Sequence, residues 1–522
     1  MLMQLRIVYS ISTVVALSSA GIMCTSRSMH AAEPPAADGG GALLPVVQRT
    51  VDALVDHGRD RWGERKTSMI ASMLDRKKLA PPEKMPKGSA GVRESDRTNR
   101  YGSNADMQQN LYRTMFLLSE LTGNPRYGKA AEDALVDFVR YTQSPETHLL
   151  GWGEHLFYDM QTEQTATNTD AGRATLIHEI KKPLEYWDLL YAREPERMLA
   201  YARGLWEHQI FDHKTGDFSR HTTWNKHDPR RGFDFTKEAG YMIEIWSRAQ
   251  AAEPDPVYTR AISVLTKRYT DKLNDLDLLD YDGTRKNYCN NGHNVTLAME
   301  SSAAADRLGP ADSELAERLR TLATRIDRGY LACRHAPDDP ARGFIATCLT
   351  NSGEPCDREA AGPGGNSVLW GLGYGKQTTA MNALHCYHRM RQLPEGPTRR
   401  AYRDLFLAAA RTYRDAKLPE TKEMTEETKI DVWPVEPGLA IQLEIAAYRE
   451  TNDAEFLKAA RRLADESVAA FWNDSSPLPK ASLYRDHYEA MTGADALLLA
   501  LLAVHTTENK SNVEVPISDV DR

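Results

Sequence analysis

This 522-residue chain has few cysteines, few long apolar runs and no excess of positive charge, and each of these features argues against a class of protein. The six cysteines show no Cys-x-x-Cys spacing, which disfavours a structural zinc knuckle. Lysine and arginine number 65 against 73 acidic residues, so the formal net charge of −8 provides no general attraction for nucleic acid or an anionic membrane. An acidic ligand would therefore need a local cluster of cations.

The N-terminal residues 7–23 form an apolar stretch that follows a single arginine. The stretch is short for a membrane span and contains several serines and threonines, which favours a secretory signal over an anchor. We predict a signal peptide over residues 1–32, a linker over 33–42, a catalytic α/α-barrel domain over 43–508 and a disordered tail over 509–522. The mature protein is accordingly expected to be periplasmic or secreted, without a stable membrane span.

Helical stretches recur in pairs between residues 43 and 505, and alternating strand patterns are scarce there. Short turns rich in Gly, Pro, Asn or Asp separate the two members of a pair, as at residues 122–125, 253–256, 309–310 and 451–453. Counting a first helix over residues 46–74 together with the last helix gives seven hairpins. Their repeats are longer and less uniform than those of open solenoids. We therefore predict an all-α fold, an α/α toroid of seven helix pairs.

Three loops that lead into inner helices carry polar residues suited to metal chemistry. Residues 151–158 read Gly-Trp-Gly-Glu-His-Leu-Phe-Tyr, residues 177–182 read Ile-His-Glu-Ile-Lys-Lys, and residues 218–222 read Phe-Ser-Arg-His-Thr. Such loops lie at one end of a toroid, so we expect the three segments to meet. Two imidazoles and a carboxylate can form a three-ligand metal site with positions open for water and substrate. A histidine taken alone is more typical of a surface or hydrogen-bonding position.

The joint arrangement of these segments resembles polysaccharide lyase family 2, the pectate lyases with an α/α7 barrel. The resemblance implies that His155, Glu179 and His221 hold a divalent transition metal and that Arg220 is the catalytic residue. It favours manganese, although two histidines and a carboxylate also accept cobalt, nickel or zinc. Glu154 departs from the family pattern, because a small residue is expected beside the metal-binding histidine. An extra carboxylate there would repel an anionic sugar.

The reaction that the resemblance implies is β-elimination in a pectate or polygalacturonate-type polymer. A metal bound to the C6 carboxylate of a uronate would acidify the C5 proton, which a base removes while the C4 glycosidic oxygen departs. Arg220 is an awkward base because a guanidinium stays protonated at ordinary pH. The alternative role is a bidentate clamp on the carboxylate. The sequence does not decide whether Arg220 is the base or the clamp. If Arg220 is the clamp, His178 or His221 is the alternative base.

Further residues near the same end of the toroid are predicted to contact the substrate. They are Trp152, His178, Lys182, Arg230, Lys376, Trp433 and Arg485. The tryptophans could stack on sugar rings, but aromatic residues in such positions more often belong to the core. We expect a monomer that binds an acidic polysaccharide or oligosaccharide and no nucleic acid.

Two other functions are compatible with the sequence. A metal-independent glycoside hydrolase on an α/α toroid would use Glu179 with either Glu154 or Glu436 as acid and base. A non-catalytic glycan-binding protein would leave the combined His, Glu and Arg-His set unexplained. Chelation separates the first alternative from a lyase, because only the lyase depends on the metal.

Overall fold

The computed structural model describes residues 43–284, 287–356, 364–373, 375–420 and 431–520. The predicted signal peptide and linker lie outside these residues. The described residues form fourteen α-helices: α1 (Leu43–Ala53), α2 (Gln109–Thr122), α3 (Arg126–Thr142), α4 (Trp187–Arg193), α5 (Pro195–Gly204), α6 (Thr236–Ala252), α7 (Pro256–Lys272), α8 (Asn291–Leu308), α9 (Ser313–Ala332), α10 (Thr379–Gln392), α11 (Pro397–Asp415), α12 (Val435–Thr451), α13 (Ala454–Phe471) and α14 (Ala494–Glu508). None of these described helices is both long and apolar enough to cross a membrane.

The helices form seven pairs arranged as an α/α toroid, which confirms the predicted fold class. The inner helices are α2, α4, α6, α8, α10, α12 and α14, and their outer partners are α3, α5, α7, α9, α11, α13 and α1. The last inner helix, α14, packs against α12 on one side and against α2 on the other, and α1 covers it from outside. The two ends of the described chain therefore meet and close the ring.

The distribution of apolar residues explains which helices lie inside. In α12 every residue from Val435 to Ala447 is buried, as expected for a helix surrounded by protein. Its outer partner α13 buries one stripe that includes Phe456, Ala460, Leu463 and Phe471, and leaves the opposite face to solvent. Inner helices therefore supply the walls of the central space, and outer helices shield them from water.

The described loops between the helices contain eleven short strands. The strands are β1 (Met73–Leu74), β2 (Gly102–Ser103), β3 (Phe157–Asp159), β4 (Gln164–Ala166), β5 (Ile177–His178), β6 (Ile210–Asp212), β7 (Asp217–Phe218), β8 (Thr222–Thr223), β9 (Tyr288–Asn290), β10 (Thr347–Leu349) and β11 (Tyr488–Glu489). They form five small sheets, in the orders β1-β11, β10-β9, β2-β3-β4, β5-β8 and β6-β7. The β5-β8 pair joins two of the three segments that the sequence singled out.

The first helix is shorter than the predicted range of residues 46–74. It ends at Ala53 and continues only as one wide turn over Leu54–Gly58. Beyond it, the Asp60 carboxylate accepts hydrogen bonds from the Thr67 backbone N–H (2.9 Å) and hydroxyl (2.7 Å). These bonds fold residues 60–67 into a compact loop, because a short acidic side chain competes with the helical hydrogen bonds for backbone donors.

Residues 509–520, predicted to be a disordered tail, pack against the helices in the structure. Val515 and Ile517 are buried in the apolar core. The Ser518 backbone N–H donates to Gln442 Oε1 of α12 at 2.6 Å, and its carbonyl accepts from His388 Nε2 at 2.8 Å. The segment contains few apolar residues, so its composition suggested disorder. Val515 and Ile517 are nevertheless buried against the apolar core.

Candidate metal centre

A two-stranded ribbon brings two of the candidate ligands together. Strands β5 and β8 pair antiparallel, with His178 opposite Thr222. Glu179 directly follows β5 and His221 directly precedes β8, so these two residues are neighbours across the ribbon. Glu179 Oε2 lies 3.4 Å from His221 Nε2.

The third candidate ligand, His155, approaches from the loop that precedes β3. Gly153 has a φ of +104°, and a Cβ at this position would lie 1.8 Å from the carbonyl oxygen of Glu179. Only glycine permits both the conformation and the close approach. The Asn104 amide donates to the carbonyl oxygens of Gly153 (2.8 Å) and Leu156 (3.0 Å) and holds the loop in place. As a result, His155 Nε2 lies 3.3 Å from Glu179 Oε2.

The three side chains fit a divalent transition metal. One ligand atom from each of His155, Glu179 and His221 lies within 4.8 Å of the other two. Ligand atoms at about 2.0–2.2 Å from a shared metal are roughly 3.0–3.6 Å apart, close to the two measured distances. Glu179 Oε2 and His221 Nε2 are buried and have no hydrogen-bond partner among the described residues. Burying polar atoms without hydrogen-bond partners costs free energy of folding, and a cation bound to both atoms would offset that cost.

The charges of these groups also suit metal binding, which requires neutral imidazole and ionised carboxylate. Burial lowers the pKa of His155 to about 4, so its ring is neutral at physiological pH. Burial by itself would raise the pKa of Glu179, but the Arg220 guanidinium and the Lys181 ammonium hold it well below its ordinary value. Arg173 Nη2 lies 3.2 Å from His155 Nε2, so a metal bound to that nitrogen would have to displace this guanidinium.

Glu154, the departure from the family pattern, is neutralised by two cations. Arg93 Nη2 donates to one of its oxygens at 2.9 Å and Lys181 Nζ to the other at 3.0 Å. Burial alone would raise the pKa of Glu154, but Lys181, His155 and Arg93 lower it to about 2. The carboxylate is therefore compensated locally, and the repulsion of an anionic sugar expected from the sequence is reduced.

Asp96 faces His155 on the side away from the candidate metal position. Asp96 Oδ1 lies 3.5 Å from His155 Nδ1. Asp96, Glu154 and His155 form a second group whose ligand atoms could hold a metal. A carboxylate behind a ligating imidazole commonly orients the ring and selects its tautomer. Asp96 stands at this position, but its 3.5 Å separation from His155 Nδ1 is not a hydrogen bond, and its other oxygen accepts from Arg93 Nε at 2.5 Å.

Arg220 is a buried cation that donates a hydrogen bond to Glu179, one of the candidate metal ligands. Its guanidinium donates to Glu179 and lies over the rings of Phe233 and Phe235, at 4.6 and 4.2 Å from the ring centroids. Burial lowers its pKa, but the Glu179 carboxylate and other nearby carboxylates raise that pKa above its ordinary value. The group is thus a permanent cation, suited to binding a carboxylate.

A cleft is lined by Glu154, Lys181 and Arg220, which are near neighbours of the candidate ligands His155, Glu179 and His221. The described cationic residues that line it are Arg93, Lys181, Lys182, Arg220, Lys237 and Lys376, and the described acidic ones are Asp96, Asp106 and Glu154. Positive groups therefore outnumber negative ones inside the cleft, although the whole chain carries a net negative charge. This local excess matches the cluster that an acidic ligand would require.

Three of the residues predicted to contact the substrate line this cleft, namely Lys182, Lys376 and Trp433. Arg230 instead forms an exposed ion pair with Asp228 at 2.9 Å. Arg485 Nε donates to a backbone carbonyl, Gly88 O, at 2.8 Å. The structure does not bring these two arginines to the cleft.

Trp152 and His178, which were predicted to contact the substrate, are buried in the structure. Trp152 is 2 % exposed and packs edge-on against Phe138, with ring centroids 5.9 Å apart. The His178 ring is buried between Gln209 Oε1 (3.0 Å) and the Tyr201 hydroxyl (3.4 Å). Neither residue is among the described residues that line the cleft.

The sequence reasoning overlooked Lys237, Arg93 and Asp96. Lys237 lies in the first turn of the inner helix α6. The expectation that site residues lie where inner helices begin would have predicted it. Arg93 and Asp96 belong to the irregular chain between α1 and α2, where hydrophobic periodicity provides no signal.

Residues 90–248 match the family model described as periplasmic pectate lyase. This range contains all three candidate ligands, and the match confirms the resemblance predicted from them. A curated relative, the pectate disaccharide-lyase of Dickeya dadantii (strain 3937), is 26% identical over 119 residues. That alignment covers 23% of this chain and spans only 21% of the relative's length.

Similar solved structures include three proteins of low sequence identity. A cellobiose 2-epimerase from Bacillus thermoamylovorans B4167 is 11% identical, with a TM-score of 0.42 over 87% of this chain and 99% of that one. An unsaturated glucuronyl hydrolase specific for heparin is 10% identical, with a TM-score of 0.45 over 90% and 99%. A GH76 α-mannanase from Bacteroides thetaiotaomicron is 9% identical, with a TM-score of 0.44 over 90% and 97%.

Proposed function

We propose that this protein is a metal-dependent polysaccharide lyase that cleaves pectate-type uronate polymers by β-elimination, in the periplasm or after secretion. The observation that carries the proposal is the convergence of His155, Glu179 and His221 beside a cation-lined cleft. The match of residues 90–248 to periplasmic pectate lyases supports the same reaction class.

His155, Glu179 and His221 would hold the metal, for which we propose manganese. When bound, a divalent metal supplies electrophilic stabilisation of the negative charge that develops on a uronate carboxylate during C5 deprotonation. The protein's part is to keep two imidazoles neutral and one carboxylate ionised at fixed positions. Asp96, behind His155, would hold that ring in the orientation that ligation needs.

Arg220 acts in this proposal as a clamp for the substrate carboxylate. Its guanidinium is already placed by Glu179 and by two phenylalanine rings, so little side-chain freedom is lost when a substrate binds. A planar guanidinium matches a carboxylate in a bidentate arrangement. Lys182 and Lys376, from different parts of the cleft lining, would bind carboxylates of neighbouring sugars.

Glu154 and Glu179 do not supply the general acid that the hydrolase alternative requires. Such an acid needs a raised pKa, whereas local cations lower the pKa of Glu154 to about 2 and hold that of Glu179 well below its ordinary value. Glu436 is buried outside the cleft lining and accepts hydrogen bonds from the backbone N–H groups of Gly371 (2.6 Å) and Trp433 (2.8 Å). Burial raises the pKa of Glu436 to about 8, but this carboxyl is held against the backbone and is not among the described residues that line the cleft.

Ultraviolet absorbance of unsaturated uronides, recorded during incubation with polygalacturonate, tests the proposal. We expect a rise that a chelator abolishes and manganese restores, with cobalt, nickel and zinc compared in parallel. Glucuronan and alginate serve as alternative uronate substrates. New reducing ends without absorbance would instead establish hydrolysis, and binding without either product would establish a glycan-binding protein.

A further inference from the structure

Three cysteine side chains meet beside the paired strands β9 and β10. Cys289 of β9 lies directly opposite Cys348 of β10, and Cys333 directly follows the last residue of α9. The Cys348 thiol is in hydrogen-bonding contact with the thiols of both Cys289 and Cys333. All three are free thiols in the structure. The proposed lyase reaction gives this cluster no role.

Cys333 and Cys348 share one side-chain amide. Asn291 Nδ2 donates to Cys333 Sγ at 3.7 Å, and Cys348 Sγ donates to Asn291 Oδ1 at 3.7 Å. The nitrogen and oxygen of one amide are bonded to the same carbon, so these contacts hold the two sulfur atoms side by side. Cys289 Sγ instead accepts a hydrogen bond from a different amide, Asn274 Nδ2, at 3.4 Å. The hydrogen bonds therefore favour Cys333 as the partner of Cys348.

The register of the sheet disfavours Cys289 as that partner. The Asn291 backbone N–H donates to the Ala346 carbonyl at 2.9 Å, two residues along the ladder from Cys289 and Cys348. Hydrogen-bonded pairs recur at every second residue of an antiparallel ladder, so Cys289 and Cys348 form such a pair. The Cβ atoms of a hydrogen-bonded pair are about 5.5 Å apart, whereas a disulfide requires about 3.5–4.5 Å.

The pleat of the adjoining hairpin disfavours Cys356. The Cys356 backbone N–H donates to the Thr347 carbonyl at 2.9 Å, and Cys348 lies opposite Pro355. Neighbouring residues of a strand direct their side chains to opposite faces, so Cys348 and Cys356 lie on opposite faces of this hairpin. Cys333 is thus the partner that both the side-chain contacts and the strand geometry favour.

The cluster lacks the geometry of a metal site. Among the described residues, the groups whose ligand atoms converge closely enough to hold a metal contain no cysteine. Adjacent thiols in an oxidising compartment are instead typical precursors of a disulfide. Resting on the proposed periplasmic or secreted location, we propose that a disulfide joins Cys333 to Cys348 in the mature protein and ties β10 to the end of α9.

Formation of this bond requires an oxidant that carries a disulfide of its own, either a small molecule or a protein. The Cys333 thiolate, which is the more exposed of the two, attacks one oxidant sulfur, breaks the oxidant's S–S bond and forms a mixed disulfide. The Cys348 thiolate then attacks the Cys333 sulfur and displaces the second oxidant sulfur. Two S–H bonds are lost and one S–S bond forms, while two electrons and two protons pass to the oxidant, which becomes two thiols.

The disulfide would stabilise one wall of the cleft. Asn290 of β9 lines the cleft, and its Oδ1 accepts a hydrogen bond at 3.2 Å from Gln377 Nε2, another lining residue. Strand β10 pairs with β9 along its whole length. A covalent link from β10 to α9 therefore restrains the strand on which Asn290 is placed.

Peptide mass mapping of the full-length protein tests the proposal. The protein is equilibrated with oxidised glutathione, alkylated in denaturant and digested with trypsin, which releases Cys333 in residues 329–334 and Cys348 in residues 343–358. We expect these two peptides to be joined by a disulfide. A link from residues 343–358 to the peptide that carries Cys289, or no link at all, would overturn the proposal.

Two serine variants identify the cysteine within residues 343–358. Cys356→Ser should keep the link, and Cys348→Ser should abolish it. Reduction should lower the melting temperature of the wild type by roughly 3–6 °C, because the bond closes a loop of about 15 residues, and should leave that of Cys348→Ser unchanged. An equal fall in both proteins would contradict the assignment. The wild-type map needs no variant, so it decides the question even if a substitution prevents folding.

The outcomes separate this inference from the lyase proposal. Because oxidised glutathione supplies the oxidant, a missing link overturns the disulfide wherever the protein resides, and an active lyase without the link loses only this inference. A linked protein that yields no unsaturated product overturns the lyase function and leaves the disulfide established.

Discussion

Glu179 Oε2 and His221 Nε2 lie 3.4 Å apart because the backbone register of β5 and β8 sets their separation. The pairing of His178 with Thr222 places the two side chains side by side before any metal binds. Preorganisation of this kind lowers the cost of assembling a site, because the ligands need little rearrangement. Arg220, the neighbour of His221, is carried to Glu179 by the same ribbon.

Removal of one candidate ligand should weaken metal binding strongly. For His221→Ala we expect the manganese dissociation constant to rise by more than about 100-fold, since even changes behind the ligands cost 10–100-fold. Calorimetric titration or manganese electron paramagnetic resonance measures the effect. His227→Ala is the control, because His227 is exposed and contacts only His208 among the described histidines. An equal loss in both variants would contradict the assignment.

Gly153 should be intolerant of any side chain. In Gly153→Ala the new Cβ would overlap the Glu179 carbonyl oxygen, so we expect a loss of about 2–5 kcal/mol in the free energy of unfolding together with weaker metal binding. Gly123→Ala is matched in its positive φ of +69° but has nothing within 4 Å. It should cost only about 1 kcal/mol. Urea denaturation of both variants would show whether close approach matters beyond backbone conformation.

Arg220→Lys should reduce activity despite keeping the positive charge. Lysine cannot donate in a planar fork or lie flat over Phe233 and Phe235, so we expect kcat/KM to fall by about 10–100-fold, mainly through KM. Steady-state kinetics on polygalacturonate provides the measurement. Arg203→Lys, at an exposed ion pair with Asp255, should leave both constants unchanged. A selective fall in kcat with KM intact would argue against the clamp.

A chain ending at Glu508 should be less stable than the full-length protein. The truncation removes Val515 and Ile517 from the core, and burial of each such side chain contributes about 1.5–3 kcal/mol. Asp519→Ala, which removes a partly exposed pair with Arg113 at 3.4 Å, should cost less than about 1 kcal/mol. Thermal unfolding compares the two. An unchanged melting temperature after truncation would restore the predicted disordered tail.

The sequence predicted the helices well because their signals are local. Turns such as the one at Gly123 end helices through a left-handed residue, and apolar spacing marks each buried face. The first helix was predicted too long, since the hydrogen bonds of Asp60 to Thr67 were not recognisable from periodicity. The tail was missed because isolated apolar residues reveal their burial only once the groove that receives them exists.

By itself, the sequence determined the seven helix pairs and the residue types available at the entrances to the inner helices. Only the tertiary structure decided which of those residues face the cleft. His178 and Glu179 are adjacent in the chain, yet the pleat of β5 directs one into the core and the other toward His155 and His221. Side-chain direction of this kind depends on strand pairing between distant segments, which no local pattern specifies.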